Sequence, residues 1–507
     1  MNTFLNEMVK EDNVKLTENG DLSHKSTLSK VLDMFALGGA YRNRSNEDVI
    51  LLFKNAFEEN RNLAMKCLFY LRDVRGGQGE RRFFRVAFKW LCKNYSDVAK
   101  KNLVNVSEYG RWDDLIYVAE GTPVQTAAFE IIKHQLALDV QCKTPSLLAK
   151  WMPSQNASNS ETKRLGRLIA QFLGLSPKEY RKILSELRKR INVVEKLMSA
   201  NKWEDIEFDK IPSRAGLIYR NAFARRDILA ERYKSFAENK ETTVNADVLY
   251  PHDIAHRAFR MCHTPIDNPE RLMLQKYWDN LKDFYCGREE NGIAVVDVSG
   301  SMCGIPMEAA VSMGAYIADK CHGPFANHFI TFSNTPQLVK FEGVDIVDKF
   351  RRCVRADWGM STNIQAVFDL LLKTAKKKNV RPEDIPAKVY IFSDMEFNRC
   401  VSFKNTSDAF WWGSNTVHSV DEVNTGLEKI KKQWEAEGYS FPKVIFWNLN
   451  ARNNTIPAIG EGFSYVSGFS PVMVETILSG KDGYDLMIAK LMSEDTRRLP
   501  HNIYKLI

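Results

Sequence analysis

The sequence contains no C-x-x-C pair, no long apolar run and no apolar stretch near its first residue. Its nine cysteines are odd in number and scattered, which argues against a disulfide framework or a zinc ribbon and favours reduced thiols. No run approaches the roughly 18 apolar residues that a membrane span needs. The first twenty residues carry acids throughout, so we expect no secretory signal. These absences favour a cytoplasmic protein without a membrane partner.

A chain of 507 residues is too long for one ordinary core, so two or three domains are expected. Its net charge of +8 comes entirely from the first part. Residues 1–290 carry 47 Lys and Arg against 39 Asp and Glu, whereas residues 291–507 carry 24 of each. A basic first part favours a phosphate-rich partner such as RNA. The competing interpretation is that these charges form solvated helix faces.

The basic residues cluster in two stretches, "LRDVRGGQGERRFFRVAFK" (71–89) and "KRLGRLIAQFLGLSPKEYRKILSELRKR" (163–190). The candidate RNA-binding side chains in them are Arg75, Arg81, Arg82, Arg85, Lys163, Arg164, Arg167, Lys178, Arg181, Lys182, Arg188, Lys189 and Arg190. The glycine-rich segment "RGGQGERR" (75–82) lacks the G-K-[ST] ending of a P-loop. Two interpretations stay open for it: a helix–helix turn in which Gly76, Gly77 and Gly79 take positive φ, or such a turn whose arginines also bind RNA phosphate.

Apolar residues recur at helical spacing from about residue 26 to residue 280, and the sequence has no continuous strand candidate there. This pattern predicts an all-α region, either a solenoid of HEAT-like helix pairs or an irregular bundle. After Gly287, short apolar runs alternate with helical stretches. The runs are 293–299, 328–333, 388–394 and 443–449, and they predict a doubly wound parallel sheet. The predicted layout is a multidomain α plus α/β protein with an N-terminal segment (1–25), a helical-repeat domain (26–286) and an α/β domain (287–507).

Polar side chains follow the predicted strands at their carboxyl ends. "IAVVDVSGS" (293–301) ends a strand in Asp297, Ser299 and Ser301; "WGMSTNIQAVF" (358–368) places Thr362 at the start of a helix; and "YIFSDMEF" (390–397) ends a strand in Asp394. The carboxyl ends of parallel strands share one edge, so these oxygens can converge. Aspartate and hydroxyl oxygens suit a hard cation, which predicts a divalent metal site, with Mg²⁺ first and Mn²⁺ or Ca²⁺ as alternatives.

This arrangement resembles the von Willebrand factor A (vWA) domain and its metal-ion-dependent adhesion site, or MIDAS, over roughly residues 290–507. The resemblance implies that Ser299 and Ser301 bind the metal directly. Thr362, Asp297 and Asp394 would bind directly or through water. It also implies that an acidic group of a protein partner fills the vacant metal position.

The order of a basic helical region and a C-terminal vWA-like domain resembles the Ro-type ribonucleoproteins. Their TROVE module is a ring of helical repeats that binds small structured RNAs and the ends of misfolded ones. The phrases "LRDVRGGQGERRFFR" and "LLAKWMPS" (147–154) are also similar to a domain-of-unknown-function family with the same layout. The resemblance implies a non-enzymatic RNA-binding protein, and a protein-interaction module on a helical scaffold without RNA is the alternative.

Three further segments carry residue types that occur in enzyme or binding sites. "HDIAH" (252–256) has histidines at zinc-protease spacing but Asp253 in place of the catalytic glutamate, so structural or surface histidines are expected, with a structural zinc site as the alternative. An aspartyl-phosphatase mechanism would need a second acid where Ser299 stands, so no enzyme is predicted.

Trp411 and Trp412 follow the Asp394 strand and are either a partner contact, including a base-stacking platform, or buried caps.

Overall fold

The computed structural model describes residues 9, 12–191, 194–354, 361–399 and 425–493. Its contacts divide the chain into two compact units. The described residues of one unit, the α/β unit, lie within Met1–Arg44, Pro251–Phe259 and Asp283–Lys490, and those of the other, the helical unit, lie within Ser45–Tyr250, Arg260–Lys282 and Leu491–Ile507. The α plus α/β architecture is therefore present. The predicted boundaries after residues 25 and 286 differ from this division, because residues 26–44 and 251–259 belong to the α/β unit.

The helical unit has no strand in its described part. Its helices are Asn46–Glu59, Arg61–Arg72, Arg81–Asn94, Ser96–Tyr109, Trp112–Ala119, Gln125–Gln141, Leu148–Trp151, Ser160–Phe172, Pro177–Arg190, Val194–Ser199, Ser213–Arg225, Asp227–Glu238 and Pro269–Asp279. Polar side chains fix their starts: Asn60 accepts from the backbone N–H of Leu63, and Ser176 forms a capping box with Glu179. Helices adjacent in sequence pack together through buried aromatic rings such as Phe69 and Phe84.

The α/β unit contains two sheets in its described part. The strands are β1 (Val14–Leu16), β2 (Leu22–His24), β3 (Gly292–Val296), β4 (His328–Thr331), β5 (Leu338–Lys340), β6 (Lys388–Ser393), β7 (Lys443–Asn448) and β8 (Phe463–Ser467). The helices are Lys30–Leu37, Pro251–Ala258, Ile305–Lys320, Ile346–Val354, Ile364–Lys378, Gly426–Ala436, Met473–Ile477 and Gly483–Leu491. β1 and β2 form an antiparallel hairpin, and the others form a sheet of order β5-β4-β3-β6-β7-β8.

The four predicted strands are present as β3, β4, β6 and β7, each within three residues of its predicted bounds. The prediction of a wholly parallel sheet is wrong at β5, which runs antiparallel to β4 at the sheet edge. β5, β8 and the β1–β2 hairpin were not predicted. β1 and β5 are three-residue strands of half-buried or exposed residues, so they lack the continuous apolar signal of a central strand.

The strand order places a topological switch at β3. The chain adds β4 and β5 on one side of β3 and then returns to add β6, β7 and β8 on the other. The carboxyl ends of β3 and β6 therefore flank the crevice where open α/β sheets bind ligands. Among the described residues, no helix combines the length and the apolar character needed to cross a membrane.

Candidate metal centre

Asp297 stands directly after β3, whose five residues are all buried. Its backbone N–H donates to the Phe392 carbonyl of β6 at 3.0 Å, so the residue continues the sheet ladder. Its carboxylate is fully buried, with Oδ1 accepting from the Ser299 N–H at 2.9 Å and Oδ2 accepting from the Ser393 hydroxyl at 2.6 Å. These two bonds fix the orientation of the carboxylate at the switch point.

Asp394 stands after β6, the strand beside β3, and is also buried. One carboxylate oxygen of Asp394, Oδ1, accepts from the Glu396 N–H at 3.2 Å. Burial and the negative charge of Asp394 raise the pKa of Asp297 to about 6. Two neighbouring buried carboxylates with such mutual repulsion form a local excess of negative charge. A bound cation would relieve this repulsion.

The Ser299 hydroxyl lies beside the Asp297 carboxylate, and the Ser301 hydroxyl lies beside the Ser299 hydroxyl. The single turn of 3₁₀ helix at Gly300–Met302 brings their Oγ atoms to 3.0 Å from each other. Ser299 is buried and Ser301 is half-buried. Asn450, which follows β7, donates from Nδ2 to the Ser301 carbonyl at 3.3 Å and anchors this turn. The two hydroxyls therefore form a preorganised oxygen pair.

Thr362 is buried just before Asn363, whose side chain caps the helix Ile364–Lys378. The Thr362 Oγ1 lies 3.0 Å from the Glu396 carbonyl and 3.0 Å from the Asn398 Oδ1, and its one proton can go to either acceptor. Since Glu396 also binds the Asp394 carboxylate through its backbone N–H, Thr362 is tied to the same loop as Asp394. Gly359, in the segment 358–368 that precedes this helix, lies outside the described residues.

The β1–β2 hairpin lies against the loop that follows Asp394, a contact that no local sequence pattern predicts. Its Glu18 N–H donates to the Glu396 carboxylate at 2.7 Å, and its Asn19 Nδ2 donates to the Thr362 hydroxyl at 3.2 Å and to the Glu396 carbonyl at 2.6 Å. The Thr17 hydroxyl donates to the Phe397 carbonyl at 2.7 Å. The first described residues of the chain thus help to position Thr362.

Arg452 supplies a positive charge at the same edge. Its Nη2 lies 3.2 Å from the Asp394 Oδ2 and 2.5 Å from the Glu18 Oε2. Sequence reasoning missed this residue together with Asn450. A usable signal was present, because "NLNARNN" (448–454) is a polar run directly after the predicted strand β7. The carboxyl end of that strand had to fall on the same edge as Asp297.

The donor set consists of two buried carboxylates, a hydroxyl pair and the linked threonine. Hard oxygen ligands of this kind suit Mg²⁺ or Mn²⁺. Within the described ranges, no group of three or more His, Cys, Asp or Glu side chains is placed to hold a metal ion. The candidate site has two such side chains, Asp297 and Asp394, and its other oxygens are the hydroxyls of Ser299, Ser301 and Thr362. The residues present fit a cation, which would compete with Arg452 for Asp394.

Some of the predicted RNA-binding side chains bond other residues of the helical unit, and others have no carboxylate nearby. Side chains engaged within the helical unit are those of Arg82 with Asn46, Arg85 with Asp113 and Asp114, Arg164 with Glu120 and Glu161, Arg188 with three acceptors, Lys189 with Glu186, and Arg190 with the Val140 and Cys142 carbonyls. Arg75 is exposed and reaches the Glu108 carbonyl at 3.5 Å. For Arg81, Lys163, Arg167, Lys178, Arg181 and Lys182, the described part of the chain provides no carboxylate within 4 Å.

The glycine-rich segment is a turn whose backbone N–H groups are used internally. The Gln78, Gly79 and Glu80 N–H groups donate to carbonyls of Tyr70, Asp73 and Leu71. The prediction of positive φ holds for Gly79 (φ 63°) and is wrong for Gly76 and Gly77, which are absent from the positive-φ residues of the described chain. Gly77 is required for space instead, since a Cβ there would lie 1.8 Å from the Tyr70 carbonyl oxygen.

The remaining candidates have structural surroundings or lie outside the described residues. The His256 Nδ1 lies 2.8 Å from the Glu308 carboxylate, and the His252 ring packs edge-on against Phe469. Trp411 and Trp412 lie outside the described residues.

The chain is similar to two families and to one viral protein. The family model described as "Domain of unknown function (DUF2828)" matches residues 17–119 and 129–283, and the model described as "Domain of unknown function (DUF7788)" matches residues 291–499. The "Uncharacterized protein L728" of Acanthamoeba polyphaga mimivirus is 31% identical over 517 residues, which covers 93% of this chain and 85% of the viral protein. Neither family description names a TROVE or vWA domain.

Proposed function

The chain belongs to the DUF2828 family, with a DUF7788 region after it, and from this premise we propose that it is a non-enzymatic binding protein of the cytoplasm. The α/β unit is proposed to be a vWA-like doubly wound domain that holds a divalent cation, Mg²⁺ first. The cation accepts an acidic group of a protein partner. The helical unit, proposed to be TROVE-like, binds structured or single-stranded RNA.

The observation that supports the metal proposal is the burial of Asp297 beside Asp394 at the topological switch point, next to the Ser299 and Ser301 hydroxyl pair. Buried like charges are costly unless a counter-charge is bound. Asp297, Asp394, Ser299, Ser301 and Thr362 would hold the cation. The cation would supply a Lewis-acidic position for a carboxylate.

Electron paramagnetic resonance of Mn²⁺ titrated into the chelator-treated full chain tests this proposal. We expect one saturable site, lost or weakened at least about tenfold in Asp297→Asn because a direct or water-mediated anionic contact is removed. Asp267→Asn, at an exposed aspartate of the same chain, is the matched control and keeps the affinity of the wild type. Free Mn²⁺ at every protein concentration, or equal binding by Asp297→Asn, would contradict the metal site.

The RNA proposal is supported by the six basic side chains that have neither an ion pair nor a side-chain hydrogen bond within the described residues, four of which are exposed on Ser160–Phe172 and Pro177–Arg190. These four are Arg167, Lys178, Arg181 and Lys182. A gel-shift titration with a structured RNA at rising salt tests it, with the triple charge reversal at Lys178, Arg181 and Lys182 as the variant. The expected result is salt-sensitive binding that the reversal weakens.

A scaffold without RNA is the second candidate, and one observation favours it. Arg82, Arg85, Arg164, Arg188, Lys189 and Arg190, six of the predicted RNA contacts, already serve internal ion pairs and hydrogen bonds. No binding at low salt, or binding unchanged by the triple reversal, would leave the helical unit as an interaction scaffold.

A further inference from the structure

A cavity of about 340 Å³ lies within the helical unit. It is bordered by the segment "LLAKWMPS" (147–154) and by the helices Trp112–Ala119 and Pro177–Arg190. Its volume falls at the lower end of the roughly 300–1,000 Å³ of small-molecule sites. Its wall includes Tyr117, Lys150, Trp151, Ser154, Thr162 and Arg188.

Arg188 brings a half-buried positive charge to this cavity without a carboxylate to balance it in the described part of the chain. Its Nε donates to the Ala149 carbonyl at 2.8 Å, its Nη2 to the Met152 carbonyl at 2.9 Å, and its Nη1 to the Ser154 hydroxyl at 3.1 Å. Burial lowers the pKa of Arg188. Three of the five N–H donors of the guanidinium are used, so two stay available to a ligand.

Lys150 adds a second positive charge to the wall, again with no carboxylate within 4 Å among the described residues; its Nζ lies 5.7 Å from the centre of the Trp151 ring. The wall does contain an acid, Asp113, but both of its oxygens are taken. Arg85 donates to Asp113 Oδ2 at 2.8 Å, and Arg111 donates to Oδ1 at 2.8 Å and Oδ2 at 2.5 Å. The cavity therefore carries a net positive charge, which favours an anionic ligand.

Two aromatic rings in the wall are held in place by the same arginines. The Arg85 guanidinium lies over the Tyr117 ring at 4.0 Å, and the Arg111 guanidinium lies over the Trp151 ring at 4.0 Å. Asp113 ties both guanidiniums together. The rings are consequently rigid apolar surfaces next to two available cations, and they offer a planar group a stacking or edge contact.

We propose that this cavity binds one nucleotide, with its phosphate on Lys150 and Arg188 and its base against Trp151 and Tyr117. The cavity is large enough for a single nucleoside monophosphate unit and too small for a duplex. That unit can come from a free nucleotide or from the terminal nucleotide of a strand. The proposal goes beyond RNA binding by the exposed basic residues, because a free mononucleotide binds here whether or not those residues bind RNA.

Isothermal titration calorimetry of the full chain with each of the four ribonucleoside 5′-monophosphates tests the proposal. Inorganic phosphate and the unphosphorylated nucleosides are the comparison ligands. We expect saturable binding of at least one monophosphate, tighter than that of phosphate or of its nucleoside. Lys150→Gln should weaken it about tenfold or more, because a charge-assisted phosphate contact is lost. Ala157→Phe, which fills the cavity without changing its charge, should abolish it.

Lys100→Gln, at an exposed lysine on another helix of the unit, is the matched control and keeps the wild-type affinity. Circular dichroism melts show whether each variant is folded. Competition with short single strands, with and without a 5′-phosphate, distinguishes the two sources: displacement only by the phosphorylated strand identifies a strand end, and no displacement identifies a free nucleotide. No saturable binding of any monophosphate, or binding that survives both Lys150→Gln and Ala157→Phe in folded protein, would overturn the proposal.

Discussion

The two units handle buried aspartates in opposite ways. In the helical unit, the fully buried Asp114 accepts from Arg72 at 2.6 and 2.8 Å and from Arg85 at 2.6 Å, so its charge is balanced from two sides. In the α/β unit, Asp297 has no arginine within 4 Å among the described residues and faces a second buried carboxylate, Asp394. The first arrangement is closed by the chain itself. The second keeps excess negative charge although Arg452 pairs with Asp394, and this excess supports the proposed cation site.

The difference also shows why a buried charge is weak evidence of function on its own. Arg72 is as buried as the two aspartates of the proposed metal centre, yet every contact described for its guanidinium is structural. A functional assignment needs a charge that the surrounding residues leave unbalanced. Asp297 meets that condition in the α/β unit, and Arg188 and Lys150 meet it in the cavity of the helical unit.

Breaking the buried ion-pair network of Arg72, Arg85 and Asp114 should have the largest effect on stability. Asp114→Ala leaves the buried Arg72 without its partner, so we expect a loss of about 3–5 kcal/mol in the free energy of unfolding. Urea titration followed by circular dichroism measures it. The exposed pair of Glu186 and Lys189 provides the control, since Glu186→Gln should leave the urea midpoint nearly unchanged. Equal midpoints for the two variants would show that Arg72 and Asp114 are not a buried network.

Removing the charge of Asp297 should raise the free energy of unfolding, whereas Asp114→Ala should lower it. In the metal-free chain the folded pKa of Asp297 is raised to about 6 by burial and by Asp394, so its ionised form opposes folding. The native state binds more protons than the unfolded state between roughly pH 4 and pH 6, and stability therefore falls as pH rises through that window. Asp297→Asn should remove this fall and be about 2–3 kcal/mol more stable than wild type at pH 7.5 in chelator. Denaturant titrations at pH 5 and pH 7.5 measure both effects, and a wild type equally stable at both pH values would contradict the repulsion.

Arg452 is the cation that pairs with Asp394 at that edge, and replacing it tests how far the chain itself balances the two carboxylates. Its guanidinium competes for Asp394 and places a like charge beside the proposed metal. We expect Arg452→Gln to bind Mn²⁺ about fivefold more tightly, on the order of 1 kcal/mol. Lys373→Gln, at an exposed lysine of the same unit, is the control. Unchanged or weaker Mn²⁺ binding by Arg452→Gln would indicate that the arginine supports the site instead of competing for it.

The central strands and the metal candidates could be predicted because both leave local signals. β3, β6 and β7 are buried on both faces and appear as continuous apolar runs. A polar residue ends β6 and β7 and directly follows β3, and parallel pairing places all three at one edge of the sheet. The hairpin and Arg452 could not be predicted in the same way. The contact between Glu18 and Arg452 joins residues 434 positions apart, and no local pattern records such a pair.

Which basic residues form internal ion pairs could not be predicted from the sequence either. Arg81 and Arg85 lie one helical turn apart in the same cluster, yet Arg85 bonds two aspartates while Arg81 has no carboxylate within 4 Å in the described chain. Which turn meets an acid depends on how the helix Trp112–Ala119 packs against Arg81–Asn94. Charge counting therefore found the basic region without separating its structural members from its exposed ones.

Replacing the exposed basic residues of the helix Pro177–Arg190 should have the smallest effect on stability. Replacing Lys178, Arg181 and Lys182 together by glutamine should change the free energy of unfolding by less than about 0.5 kcal/mol, because all three are exposed and make no ion pair or hydrogen bond within the described residues. Arg188→Gln in the same helix should cost about 1–3 kcal/mol, since the Ala149 and Met152 carbonyls and the Ser154 hydroxyl lose their donor. Thermal melts of both variants provide the comparison. A triple variant as unstable as Arg188→Gln would place the exposed residues in the structural group, and their part in RNA binding would then lose its support.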